Sequence, residues 1–268
     1  MTYIPVITSA RISKSYGYVS GGYTAGDIAI ATTQKYDDVA NTWTTKANLG
    51  TARHGFGAFS LNGYGYTAGG SGGAGIDQVA TTEKYDDVAN TWTAKTDLNL
   101  ARNSLSGFSL NGYGYTAGGY TGAVSAVTEK YDDVANTWTA KTNLNVARDA
   151  LSGFSLNGYG YTAGGNGGPG IYQVATTEKY DDVANTWTAK TILSLARDAL
   201  SGFSLNGYGY TAGGYSWTGD PTAITEKYDD IANTWIAKAS LSIARPDLTG
   251  FSMITSICPQ LICTISLL

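Results

Sequence analysis

The ionisable groups whose types and spacing could do chemistry in this 268-residue chain fall into two sets. One is five arginines, Arg53, Arg102, Arg148, Arg197 and Arg245; the other is five aspartate pairs, Asp37-Asp38, Asp86-Asp87, Asp132-Asp133, Asp181-Asp182 and Asp229-Asp230. Arginines brought together would hold anionic groups, and paired carboxylates supply the oxygen ligands that calcium takes. The aspartates read better as turn formers: the first of each pair bonds nearby backbone amides, the second is solvated, and the pairs stay far apart. His54 is the chain's one histidine, so a histidine metal cluster is ruled out and any imidazole base would be this residue. No nucleophile motif or zinc signature is present, and the glycines do not form a phosphate loop, since no helix follows them. The expectation is a protein that is not an enzyme and carries neither metal nor cofactor.

What positions these groups is a repeat. Glu-Lys-Tyr-Asp-Asp-Val-Ala-Asn-Thr-Trp-Thr-Ala-Lys-Thr stands unchanged at residues 83–96, 129–142 and 178–191, with looser copies at 34–47 and 226–239. Trp43, Trp92, Trp138, Trp187 and Trp235 are 46 to 49 residues apart, inside the range of propellers and solenoids. Each unit reads as four short strands. In the copy at 103–148, Leu105–Leu110 alternates, Asn111-Gly112 supplies a hairpin turn with positive φ at both positions, and Tyr113–Ala117 follows with Tyr113, Tyr115 and Ala117 on one face. Gly118-Gly119 ends that strand. Val127–Tyr131 is the third strand and Thr137–Lys141 the fourth, with no helical spacing anywhere. Phe108, Tyr115, Tyr131 and Trp138 would be exposed on a lone unit, and radial stacking into a closed ring covers them without caps.

These residues resemble the kelch repeat, whose pattern is a Gly-Gly pair, Tyr-Asp, then Asn and Trp, then Ala-Arg opening the next unit. The matching positions are Gly118-Gly119, Tyr131-Asp132, Asn136, Trp138 and Ala147-Arg148, with further pairs at Gly69-Gly70, Gly164-Gly165 and Gly213-Gly214. The resemblance covers nearly the whole chain and implies an all-β fold, a β-propeller of four-stranded antiparallel blades. Kelch propellers usually carry more blades than the five Gly-Gly to Trp units found here. The resemblance also implies that the arginines open the innermost strands; in some kelch proteins they bind acidic peptides, and the structural alternative is that they bond backbone carbonyls of the adjacent blade.

The expected organisation is a propeller over residues 1–256 and a divergent apolar tail over 257–268. Asp247–Met253 copies a first strand, while Tyr16–Gly22 begins at a second strand, so the closing blade is expected to be shared between the two ends. A ring left incomplete by lost repeats would instead be completed by a second copy of the chain. Charged residues make up 14% of the sequence with a net charge of −4, which argues against a nucleic-acid partner, since that needs clustered Lys and Arg. The apolar tail is shorter than the roughly twenty residues that span a bilayer, and Met1–Ala10 lacks the pattern of a signal peptide. Membrane insertion is therefore not expected, and the compartment stays open. Cys258 and Cys263 read as a free pair in the tail.

Function is expected where the copies disagree. The segments Tyr23–Gln34, Ser71–Thr82, Tyr120–Thr128, Asn166–Thr177 and Tyr215–Thr225 vary in length and chemistry, as do His54, Asn103, Asp149, Asp198 and Pro246 after the arginines. Both sets are expected on one face of the disc, and loops on a rigid scaffold carry function. Tyr120, Tyr172, Tyr215 and Trp217, with Asp149 and Asp198, and beside them Tyr23 and Asn166, offer aromatic faces and short polar groups suited to a glycan or a protein segment. Together with the five arginines they form the candidate ligand site of a recognition or scaffold module. Two other readings stand beside it: a cofactor-free sugar isomerase or mutarotase, similar to certain bacterial kelch enzymes and built on Arg148, Arg197, Asp149 and Asp198, and a purely structural array.

Overall fold

The computed structural model describes residues 16–24, 28–72 and 78–247. Among them the longer regular elements are all five-residue β-strands, and no helix occurs. The second blade comprises Gly57–Leu61, Tyr64–Ala68, Thr82–Asp86 and Thr91–Lys95, paired antiparallel in that order from the axis outward. The third (Ser106–Lys141), fourth (Ser152–Lys190) and fifth (Ser201–Lys238) repeat it. The first blade shows three strands, Tyr16–Ser20, Thr33–Asp37 and Thr42–Lys46. The chain is a five-bladed β-propeller.

Local chemistry explains the blade. Asn111 and Gly112 take φ of 51° and 80°, as do their counterparts to within a few degrees, which is the primed turn that matches strand twist. Between the third and fourth strands, the first aspartate of each pair accepts two backbone amides: Asp132 Oδ1 takes Val134 N at 2.9 Å and Ala135 N at 3.0 Å. Asn136, at φ 53°, takes the Tyr131 hydroxyl at 2.8 Å and closes the turn.

Blades are joined by one set of contacts used four times. At the seam between the third and fourth, Trp187 Nε1 donates to Thr128 Oγ1 at 3.2 Å and Thr142 O at 3.0 Å. Lys130 pairs with Asp182 at 3.2 Å, Tyr115 meets Tyr180 at 5.6 Å, and the Phe108 ring lies over Gly160, where any side chain would collide with it. Ser155 donates to the Ser109 carbonyl from one innermost strand to the next. In four of the five pairs the second aspartate is thus not solvated, against the expectation from sequence: Asp87, Asp133, Asp182 and Asp230 each hold a lysine of the preceding blade, while Asp38 is exposed. Burial of one aromatic side chain contributes roughly 2–3 kcal/mol, so the Phe-Tyr-Trp stack dominates each seam.

The closing strand expected around Phe251, the tail 257–268 and Met1–Ala10 lie outside the described residues. The described ends nevertheless meet: Asp247 N donates to Ala199 O at 2.8 Å, and the Asp247 carboxylate is held by Tyr23 and His54.

Candidate functional site

Each arginine enters its blade beside the axis, and four of the five are completely buried. Arg148 donates through Nη1 to Gly164 O at 2.8 Å and Thr176 O at 2.6 Å, and through Nη2 to Thr162 Oγ1 at 2.7 Å and Glu178 Oε1 at 3.1 Å. Arg53, Arg102 and Arg197 repeat these bonds. The carbonyls belong to the arginine's own blade; the preceding blade is reached through the arginine's main-chain carbonyl, as in Gly119 N to Arg148 O at 2.9 Å. Burial lowers the guanidinium pKa while the glutamate raises it, and Glu178 also accepts Asn145 N from the preceding blade at 2.8 Å. Arg53, Arg102, Arg148 and Arg197 therefore present no guanidinium to a ligand. Arg245 is exposed, and Val19 and Gln34 stand in the first blade where the second has Thr67 and Glu83.

One residue beyond each arginine the repeats diverge, and there the chain turns into the mouth of the axial channel. The next position, Gly55, Ser104, Ala150, Ala199 and Asp247, has φ between 49° and 61° in every blade. Ser104 N donates to Gly55 O, Ala150 N to Ser104 O, Ala199 N to Ala150 O and Asp247 N to Ala199 O, at 2.6 to 2.8 Å. This collar surrounds a cavity of about 510 Å³ lined from all five repeats, including Tyr23, His54, Ser104, Ala150, Ala199 and Asp247. It opens into a second cavity of about 220 Å³ along the axis, between Ser106, Ser152 and Ser201.

The variable loops border the same mouth. Bridges pair His54 with Ser71, Asn103 with Tyr120 and Asp149 with Asn166, and the strand pair Arg197–Asp198 with Tyr215–Ser216 places Asp198 opposite Tyr215. Both variable sets thus share one face. Gln173 Nε2 reaches from the fourth blade's loop to Asp198 Oδ2 at 3.2 Å. Trp217 and Tyr172 are largely exposed on loop tips, whereas Tyr120 and Tyr215 are half-buried. Tyr23 and His54 meet as tilted rings at 4.9 Å beside Asp247.

Three carboxylates belong to this face, of which Asp247 lines the mouth itself. Burial, then the charge of Asp198, push Asp149 up to about 6. Burial also raises Asp198, against bonds from Gln173 and its own backbone, and raises Asp247, against His54 and Tyr23. Asp149 Oδ1 and Asp198 Oδ1 are buried without a hydrogen-bond partner. Among the described residues no three His, Cys, Asp or Glu side chains come together as a metal site. Sequence reasoning placed Tyr23 and His54 on this face but missed Gln173 and Asp247 as members of one mouth; the available signal was Gly55 in a column otherwise held by Ser, Ala and Asp, which marks positive φ.

No protein-family model and no curated protein matches the chain. Its structure is similar to the solved structure of YjhT, with a TM-score of 0.72 and 14% identity over 86% of this chain and 82% of that one. At that identity the likeness concerns the fold alone.

Proposed function

We propose that the protein is a non-enzymatic recognition module that binds a glycan or a protein segment at the axial mouth of its loop face. The observation that carries this reading is the coincidence of variation and concavity. Repeats that are otherwise near-copies differ at His54, Asn103, Asp149 and Asp198 and in the loops opposite them, and the residues that follow these four, Gly55, Ser104, Ala150 and Ala199, line the 510 Å³ cavity together with His54 and Tyr23. A site made of unlike groups needs such divergence, whereas a purely structural ring does not. The kelch resemblance supports the repeat architecture but not an arginine-based ligand site, since four arginines are spent on the framework.

Pull-down from extracts and a glycan array, with wild type and the Trp217→Ala, Tyr215→Ala and Asp198→Asn variants, test the reading. Anchoring aromatics at such sites are worth enough that at least one variant should bind about tenfold more weakly or worse. Undiminished binding by all three would place the ligand elsewhere. One observation favours a second reading, the sugar isomerase: a carboxyl titrating near 6 is suited to general acid–base work. That enzyme would use Asp149 and Asp198 without Arg148 or Arg197.

A further inference from the structure

Trp217 is the one tryptophan of six that lies outside the repeat motif, and it is 72% exposed. Its loop is held by bonds of its own: Ser216 N donates to Asp220 O at 3.0 Å, Gly219 N to Ser216 O at 2.8 Å and Thr218 Oγ1 to Asp220 Oδ2 at 2.8 Å. The fourth blade's loop is built in a similar way, with Gly167 N donating to Tyr172 O at 2.7 Å, Tyr172 N to Gly168 O at 3.0 Å and Gly168 N to Asn166 Oδ1 at 2.8 Å. It sets Ile171 and Tyr172 outward at 60% and 66% exposure, and holds Tyr172 at φ 47°, a conformation that bulky residues seldom adopt. Backbone held in such a conformation collects at ligand-binding segments.

The two loops are neighbours. Gln173, which follows Tyr172, donates to Asp198, and Asp198 pairs with Tyr215, two residues before Trp217. The third blade's loop has Thr121, Gly122 and Ala123 at its tip, so large apolar tips are not a product of the repeat. Rigid, exposed aromatic side chains of this kind anchor protein partners, because covering them forfeits little conformational freedom.

The charge around these tips is one-sided. Asp220, beside Trp217, joins Asp149, Asp198 and Asp247, whereas the guanidiniums of four arginines are buried against glutamates and Arg245 alone of the five is exposed. A surface with this balance attracts lysine and arginine and repels anionic lipid. Ile171 lacks the ring face on which a sugar stacks, and an aliphatic side chain next to a tyrosine suits the apolar side chains of a protein.

We propose that the loop tips of the fourth and fifth blades dock a basic protein segment, one that lays apolar side chains against Ile171, Tyr172 and Trp217 and turns lysine or arginine towards the carboxylates. This rests on the recognition reading above and names its class of partner.

A random-peptide phage library panned on the full chain at neutral pH and low salt tests it. The selected sequences should intersperse lysine or arginine with large apolar residues. Synthetic peptides from the selection should bind the Tyr172→Ser/Trp217→Ser variant, whose exposed sites keep the fold by circular dichroism, at least about tenfold more weakly than wild type. They should also weaken severalfold with Asp198→Asn/Asp220→Asn and when salt is raised from about 0.05 to about 0.5 M. Val134→Ser, on a turn between third and fourth strands, should bind them as wild type does. Acidic or consensus-free sequences would overturn the proposal, as would peptides indifferent to the tip substitutions. Trp217-dependent binding of a neutral glycan with no peptide selected would overturn the protein partner while leaving a recognition module. Trp217-dependent binding to vesicles of zwitterionic lipid would assign the tips to a membrane and equally overturn it. Failure of peptides, glycans and extracts alike would sink the recognition reading itself.

Discussion

Two neighbouring residues show how this protein separates framework from site. Arg148 is buried with a carboxylate, a hydroxyl and two carbonyls arranged around its guanidinium, so its charge is matched. Such a group holds only while its partners remain, because an unpaired buried charge is strongly destabilising. Asp149, the next residue, holds one carboxylate oxygen buried without a hydrogen-bond partner. Burial and Asp198 raise its pKa to about 6, so ionising it costs more in the folded than in the unfolded chain. That cost is present above about pH 6 and vanishes as pH falls towards the ordinary carboxylate value, where the folded chain holds the proton. Asp149→Asn should therefore be more stable than wild type at pH 7.5, with the advantage shrinking towards pH 4. Urea unfolding at both values checks this; an offset independent of pH would contradict it. The cost is tolerable in a residue kept for a ligand.

Within a blade, the second strand carries a glycine because the preceding blade's phenylalanine lies on it. A methyl group at Gly160 would overlap the Phe108 ring, so Gly160→Ala should destabilise by about 1–3 kcal/mol. Adding Phe108→Leu should cost less than the sum of the single changes, since it removes the clash, and strict additivity in thermal unfolding would refute that contact. Strands, hairpins and Asx turns were legible from the residues because their signals are local: Asn111-Gly112 needs positive φ, and Asp132 bonds amides two and three residues on. The burial of the arginines and the seam role of Asp87, Asp133, Asp182 and Asp230 were not. Their partners lie on other strands, as with Thr162 and Glu178 for Arg148, or a whole repeat away, as with Lys130 for Asp182, and no local pattern encodes such a pairing. The mouth was half legible: variation between copies located the face, but the meeting of Tyr23, His54 and Asp247 depends on ring closure.

At the scale of the molecule, near-identical repeats make near-identical seams, and their stability is shared around the axis. Four seams carry the tryptophan bonds to threonine and to a backbone carbonyl, the lysine–aspartate pair and the crossed tyrosines, while the fifth is joined near the axis through Gly214 N to Arg245 O and Asp247 N to Ala199 O. The collar around the mouth, and with it the candidate site, requires that joint. Deleting residues 246–268 and recording calorimetric unfolding tests the account most directly. A drop in melting temperature of about 10 °C or more is expected, since several kcal/mol of buried contact would be lost; an unchanged transition would contradict a ring closed through its C-terminal end.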